Sequence, residues 1–166
     1  MKNTMARTFG TIFCALIMVS LADAQALTTA NAPEVDSRFS RVLGTDVGKI
    51  AQHYYLVKNG GVIELTAKDP NDAATVKAIQ KYLDAQKDLF EKGKNESEAE
   101  VHGKVPDGSP ALKKLRNDIT FYSGKTDDGG VLRMFTTNEQ ARQAVYEFIK
   151  FEIGEHQTGD ALTADQ

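Results

Sequence analysis

Two stretches of this chain repeat one another, and that duplication restricts the fold more than any other feature. Gly60-Gly61-Val62-Ile63-Glu64-Leu65 corresponds to Gly129-Gly130-Val131-Leu132-Arg133-Met134, 69 residues on. Val76-Lys77-Ala78-Ile79-Gln80-Lys81-Tyr82-Leu83 corresponds to Arg142-Gln143-Ala144-Val145-Tyr146-Glu147-Phe148-Ile149, 66 residues on, so the first copy holds three more residues between its blocks. Apolar positions match apolar positions in both. A recurring unit of this kind is one supersecondary element that buries its apolar face against its neighbour.

Each copy reads as a hairpin followed by a helix. His53 to Lys58 is rich in aromatic and β-branched residues, Asn59-Gly60-Gly61 has turn chemistry, and Val62 to Ala67 is the return strand. Asp69-Pro70-Asn71-Asp72 supplies a helix start. Val76, Ile79, Leu83, Gln86 and Phe90 then recur at helical spacing up to Gly93. The second copy has strands over 119–123 and 131–136, a turn at Thr126 to Gly130, Asn138 as N-cap, and a stripe of Val145, Phe148, Ile149 and Ile153. Two such units give an α+β fold: one four-stranded antiparallel sheet with two helices on one face. Alternation turns Ile63, Leu65, Leu132 and Met134 toward the helices. Val62, Val131 and Phe135 leave the second face too apolar for open solvent, so a cover is expected: an N-terminal helix, a second subunit or a ligand.

The flanks set the domain plan. Lys2 and Arg7, the apolar run Thr8 to Leu21 and Ala22-Asp23-Ala24 form the three parts of a secretory signal over 1–24. Residues 25–52 carry one short helix at about 34–43. Repeat one spans 53–92, a polar linker with a short helix around Ala111 to Arg116 spans 93–117, and repeat two spans 118–157. The duplicated domain closes near 160, and the tail over 158–166 is expected to be flexible.

The single Cys, Cys14, falls inside the signal, which excludes a disulfide framework, a thiol nucleophile and a cysteine metal site in the exported chain. Removing the signal takes away two cations and one anion, so the formal charge of −3 becomes −4. Neither nucleic acid nor a stable membrane anchor is expected as a partner. There is no phosphate loop, dinucleotide glycine fingerprint, Gly-x-Ser-x-Gly elbow or His-Glu-x-x-His motif.

Val101-His102, Val105-Pro106, Gly129-Gly130-Val131, Phe148-Ile149-x-Phe151 and His156-x-Thr158-Gly159-Asp160 together resemble a set of small secreted bacterial proteins of unknown function. The resemblance covers the chain from about His53 onward and implies no activity. It does not extend to aspartate carbamoyltransferase, whose Ser-x-Arg-Thr-Arg phosphate loop is missing here. Related chains carry a His where Tyr82 or Leu83 stands in this one.

The three histidines are His53, His102 and His156. His53 reads as a strand-edge residue lying on tyrosine. His156 occupies the place of Phe90 in the sister repeat, bordering the apolar stripe. Either it closes the helix against a backbone carbonyl, or it serves as a metal or ligand-binding imidazole with Glu152 one turn earlier. His102 falls in the polar linker. If it folds back onto His156, the set His102, His156 and Glu152 suits Zn²⁺ or Cu²⁺. The Lys/Glu run from Glu91 to Glu100 reads as a solvated helix end and loop.

These features point to an exported, periplasmic or extracellular, non-catalytic binding protein for a metal or small molecule held near His102 and His156. The alternative is an interaction module forming a homodimer through the open sheet face. Catalysis ranks last, since no nucleophile–base pair stands out.

Overall fold

The computed structural model describes residues 32–164, and the signal expected over 1–24 lies outside them. In chain order the elements are α1 (Ala32–Leu43), β1 (Ile50–Val57), β2 (Gly60–Ala67), α2 (Ala73–Glu91), α3 (Glu96–His102), α4 (Ser109–Leu115), β3 (Thr120–Lys125), β4 (Gly129–Phe135) and α5 (Glu139–His156). The strands form one antiparallel sheet in the order β1-β2-β4-β3. This is the α+β architecture with duplicated β-β-α units that the sequence implies. β1 begins three residues before the expected His53, because Ile50 and Ala51 already pair with Ala67 and Thr66.

The two copies meet at the centre of the sheet. Ile63 lies opposite Leu132, Val62 opposite Arg133 and Glu64 opposite Val131. The duplication equates these same positions, so exchanging the copies maps the pairing onto itself, as a local two-fold axis does. The helices cross over: α2 lies mainly on β3 and β4, while α5 lies on β1 and β2. Each copy thus buries its helix on the other's hairpin. Ile79 and Val145, Leu83 and Ile149, and Ile63 and Leu132 are all core residues.

The glycine pairs serve this crossing rather than the turns assigned to them from sequence. The turn residues are Lys58-Asn59 and the segment Thr126 to Asp128, and the glycines open β2 and β4. A Cβ on Gly61 would stand 2.7 Å from Ile149 and 2.9 Å from Val145, and one on Gly130 would stand 3.1 Å from Leu83. A Cβ on Gly60 or Gly129 would run into the Met134 or Leu65 carbonyl of the neighbouring strand. Close approach of backbone and helix is a recurrent reason for strand glycine.

Local signals set the helix starts. Asp72 caps α2 by accepting from the Thr75 N–H, and Asn138 caps α5 by accepting from the Gln140 and Ala141 N–H groups. α1 buries Val35, Phe39 and Leu43 and ends where Gly44 takes a φ of 81°. It packs against α3, α5 and α2 on the helical side of the sheet. It is therefore not the expected cover of the second face, where Tyr55 and Tyr122 are exposed and Val62, Val131 and Phe135 are half-buried.

Past α5 the chain turns back to the sheet edge. Asp160 accepts from the Tyr54 backbone N–H at 2.8 Å and from Thr158 Oγ1 at 2.7 Å, and lies 3.0 Å from His53 Nδ1. The tail expected to be loose from Thr158 is thus tied down as far as Asp160, and it occupies an edge donor of β1. His53 stacks on Tyr55 at the strand edge, as its sequence context suggests.

Candidate metal centre

The helical layer brings three of the singled-out residues together from two elements. α5 carries Glu152 and His156 one turn apart, on the inward face it shares with Val145, Phe148, Ile149 and Ile153. The second element was not foreseen. The stretch before His102 is not a solvated linker but the short helix α3, with Glu98, Val101 and His102 buried along one side. Its alternating Glu96, Glu98 and Glu100 look uniformly polar in sequence. The helical spacing of 98, 101 and 102 instead collects one face that α1 covers and from which His102 meets Glu152 and Phe151 of α5. Gly103, at φ 66°, ends the helix, and Arg38 Nε of α1 holds the Val101 carbonyl at 2.6 Å.

His102 Nε2 lies 3.2 Å from Glu152 Oε2, and His156 Nε2 lies 3.4 Å from the same oxygen. One ligand atom from each of His102, Glu152 and His156 falls within 4.8 Å of the others. A fourth side chain stands at the rim: Glu98 Oε2 is 3.8 Å from His102 Nε2, and Tyr82 donates its hydroxyl to Glu98 Oε1 at 3.2 Å. The imidazole of His102 is fully buried and that of His156 is 2% exposed. His102 Nδ1, His156 Nδ1 and Glu152 Oε1 are buried without a hydrogen-bond partner. Each such orphan costs on the order of 1–3 kcal/mol, so the cluster is expensive as a purely structural element.

The surround is aromatic. His156 stacks on Tyr54, with ring centres 5.7 Å apart, and leans on Phe39 at 5.1 Å. His102 meets Phe151 edge to face at 4.9 Å and His156 at 5.2 Å. The helix-closing role considered for His156 falls to Gln157, which adopts φ 51° and donates its N–H to the Ile153 carbonyl. His156 itself turns its Nε2 toward Glu152.

The electrostatics of the two glutamates diverge. Burial works to raise the Glu152 pKa, but hydrogen bonds and charge from His102 and His156 outweigh it and hold the carboxyl below the usual range. Burial, then the neighbouring Glu152 charge, push Glu98 well up despite the bond from Tyr82. Burial and the nearby glutamates likewise raise the Tyr54 and Tyr82 phenols. A polar cleft of about 230 Å³ lies beside His102, between Glu34 and Arg38 of α1 and the Lys104–Glu155 pair.

Glu98 is the residue sequence reasoning missed. The signal was present, because the spacing Glu-x-x-x-His occurs at Glu98/His102 and again at Glu152/His156. In a helix that spacing puts both groups on one face. The chain matches no protein-family model, no curated protein and no solved structure.

Proposed function

We propose that this is an exported, non-catalytic binding protein for a divalent transition metal, with His102, Glu152 and His156 as ligands. The observation that carries the reading is the convergence of two imidazoles and a carboxylate from different helices inside an aromatic surround, with three of their polar atoms lacking partners. Imidazole nitrogen with carboxylate oxygen is the donor set of Zn²⁺ and Cu²⁺ sites. An outer group stands nearby: Glu155, held through Oε1 by Lys104 at 2.9 Å, has its Oε2 3.8 Å from His102 Nδ1, within a small movement of the hydrogen bond that orients a ligating ring. Export rests on the sequence of residues 1–24, and the bacterial resemblance makes the periplasm or the medium the destination.

The test is titration calorimetry of purified, untagged protein with Zn²⁺ and Cu²⁺, repeated on His156→Ala and His102→Ala. One ion per chain for the wild type, with a large loss of affinity in both variants, supports the reading. No saturable uptake by the wild type removes it.

A second reading is favoured by one observation. The uncovered sheet face presents Tyr55 and Tyr122, which are 39% and 54% exposed, next to Val62, Val131 and Phe135. A second copy laid on this face would bury it, and a chain that stays monomeric in sedimentation at high concentration rules that out.

A further inference from the structure

The metal-binding reading leaves one group unexplained. Glu98 is 4% exposed, on a seven-residue helix, and faces a second buried carboxylate. Among the described residues the ion pairs of Glu98 and Glu152 are with histidine alone: His102 for Glu98, His102 and His156 for Glu152. Arg38 is engaged with Val101 and Glu34, and Lys104 with Glu155. Both carboxylates address the same nitrogen, His102 Nε2, at 3.2 Å from Glu152 and 3.8 Å from Glu98. A ring nitrogen carries at most one proton and can satisfy only one of them. Two buried carboxyl groups gathered on one point are accommodated either by a proton held on Glu98 or by a positive centre between them.

We infer that Glu98 is a fourth protein ligand, so that the pairs Glu98/His102 on α3 and Glu152/His156 on α5 clasp a single tetrahedral divalent cation of the Zn²⁺ kind. This rests on the metal-binding reading above and adds a ligand, a geometry and a choice of ion. Position carries it. Donors about 2.1 Å from a tetrahedral Zn²⁺ lie about 3.4 Å from one another; Glu152 Oε2 stands 3.2 and 3.4 Å from the two imidazoles, and Glu98 Oε2, 3.8 Å from His102 and outside the tight three-residue group, moves inward to complete the shell. Two neutral imidazoles and two carboxylates also cancel the charge of a divalent ion, which a dry aromatic surround requires. Tyr82 holds the other Glu98 oxygen and so aims Oε2 inward, the task of an outer-shell partner. Cu²⁺ prefers a tetragonal arrangement and is the poorer fit. Four protein donors leave no position for a substrate or water, the mark of a closed, structural or storage site.

Co²⁺ is the probe, because its visible spectrum reports coordination number. Titrated into the full chain, it is expected to give the intense d–d bands of a four-coordinate ion, and Zn²⁺ is expected to displace it. Glu98→Gln keeps the shape and the contact with Tyr82; it is expected to weaken Co²⁺ binding at least tenfold and to lose band intensity as water enters. Unchanged affinity and spectrum in Glu98→Gln overturn the fourth ligand and leave the three-ligand site standing. No Co²⁺ or Zn²⁺ uptake by the wild type overturns both. Should Glu98→Gln fail to fold, Tyr82→Phe decides: a severalfold loss of affinity is expected, and no loss speaks against an oriented Glu98.

Discussion

Replacing His156 with Phe restores the residue that the sister repeat carries as Phe90, and the structure sets the size of the effect. Without metal, two contributions oppose one another. The substitution removes a buried Nδ1 that has no partner, and the new ring can lie on Tyr54 and Phe39 where the imidazole lay. It also deprives Glu152 of one of its two histidines, leaving His102 at 3.2 Å. Each contribution is on the order of 1–3 kcal/mol, so stability in a chelator should change by less than about 2 kcal/mol in either direction. Metal separates the two proteins. A ligand that binds only the folded state at 100 times its Kd stabilises it by about 2.7 kcal/mol, which for a domain of this size raises Tm by about 10 °C. Differential scanning calorimetry with EDTA and then with excess Zn²⁺ should show that rise in the wild type and none in His156→Phe. Equal shifts in both proteins would refute the placement of His156 among the ligands.

The remaining expectations address the scaffold. Leu83 and Ile149 occupy equivalent, buried positions in the two copies, so Leu83→Ala and Ile149→Ala should each cost about 2–5 kcal/mol in urea titrations; a near-neutral result for one would break the equivalence. Asp160 is opposed by desolvation, but its bonds from His53, Thr158 and the Tyr54 N–H hold it below its ordinary value. A depressed carboxylate stabilises the fold above its unfolded pKa and loses that contribution as pH falls through the folded one. Asp160→Ala should therefore be less stable than wild type at neutral pH, and urea midpoints should converge as pH drops below about 4; a gap unchanged down to pH 2 contradicts the tie to β1. Mass spectrometry of exported protein should find an N-terminus at Gln25, or at Leu27 where cleavage follows the second small-residue site Ala24-Gln25-Ala26, and a soluble cytoplasmic chain retaining Met1 would remove the export reading.

What the sequence disclosed follows the reach of each signal. The change from alternating to helical periodicity is local, so the hairpins, α2 and α5 were legible, as were the helix start over Asp69 to Asp72 and the cap at Asn138. The duplication made a single four-stranded antiparallel sheet legible, but not its order, in which equivalent residues pair across β2 and β4. The crossing of the helices was not, since it depends on which hairpin Gly61 and Gly130 allow each helix to approach. In the site, His156 and Glu152 stood out because polar groups interrupted an apolar stripe. α3 did not, because seven residues cannot display a period and its burial comes from α1 and from the α5 side chains that meet His102. His102 consequently looked like a loop residue, and Glu98 looked like part of a charged run, though its Tyr82 partner lies sixteen positions away.

X-ray absorption at the zinc edge, on protein loaded with one Zn²⁺ per chain, reads the ligands themselves. A first shell of nitrogen and oxygen at about 2.0–2.1 Å is expected, with the outer-shell scattering of two imidazoles, reduced to one in His102→Ala or His156→Ala. A shell of oxygen alone, or an imidazole signal that survives both substitutions undiminished, would contradict the proposed ligand set.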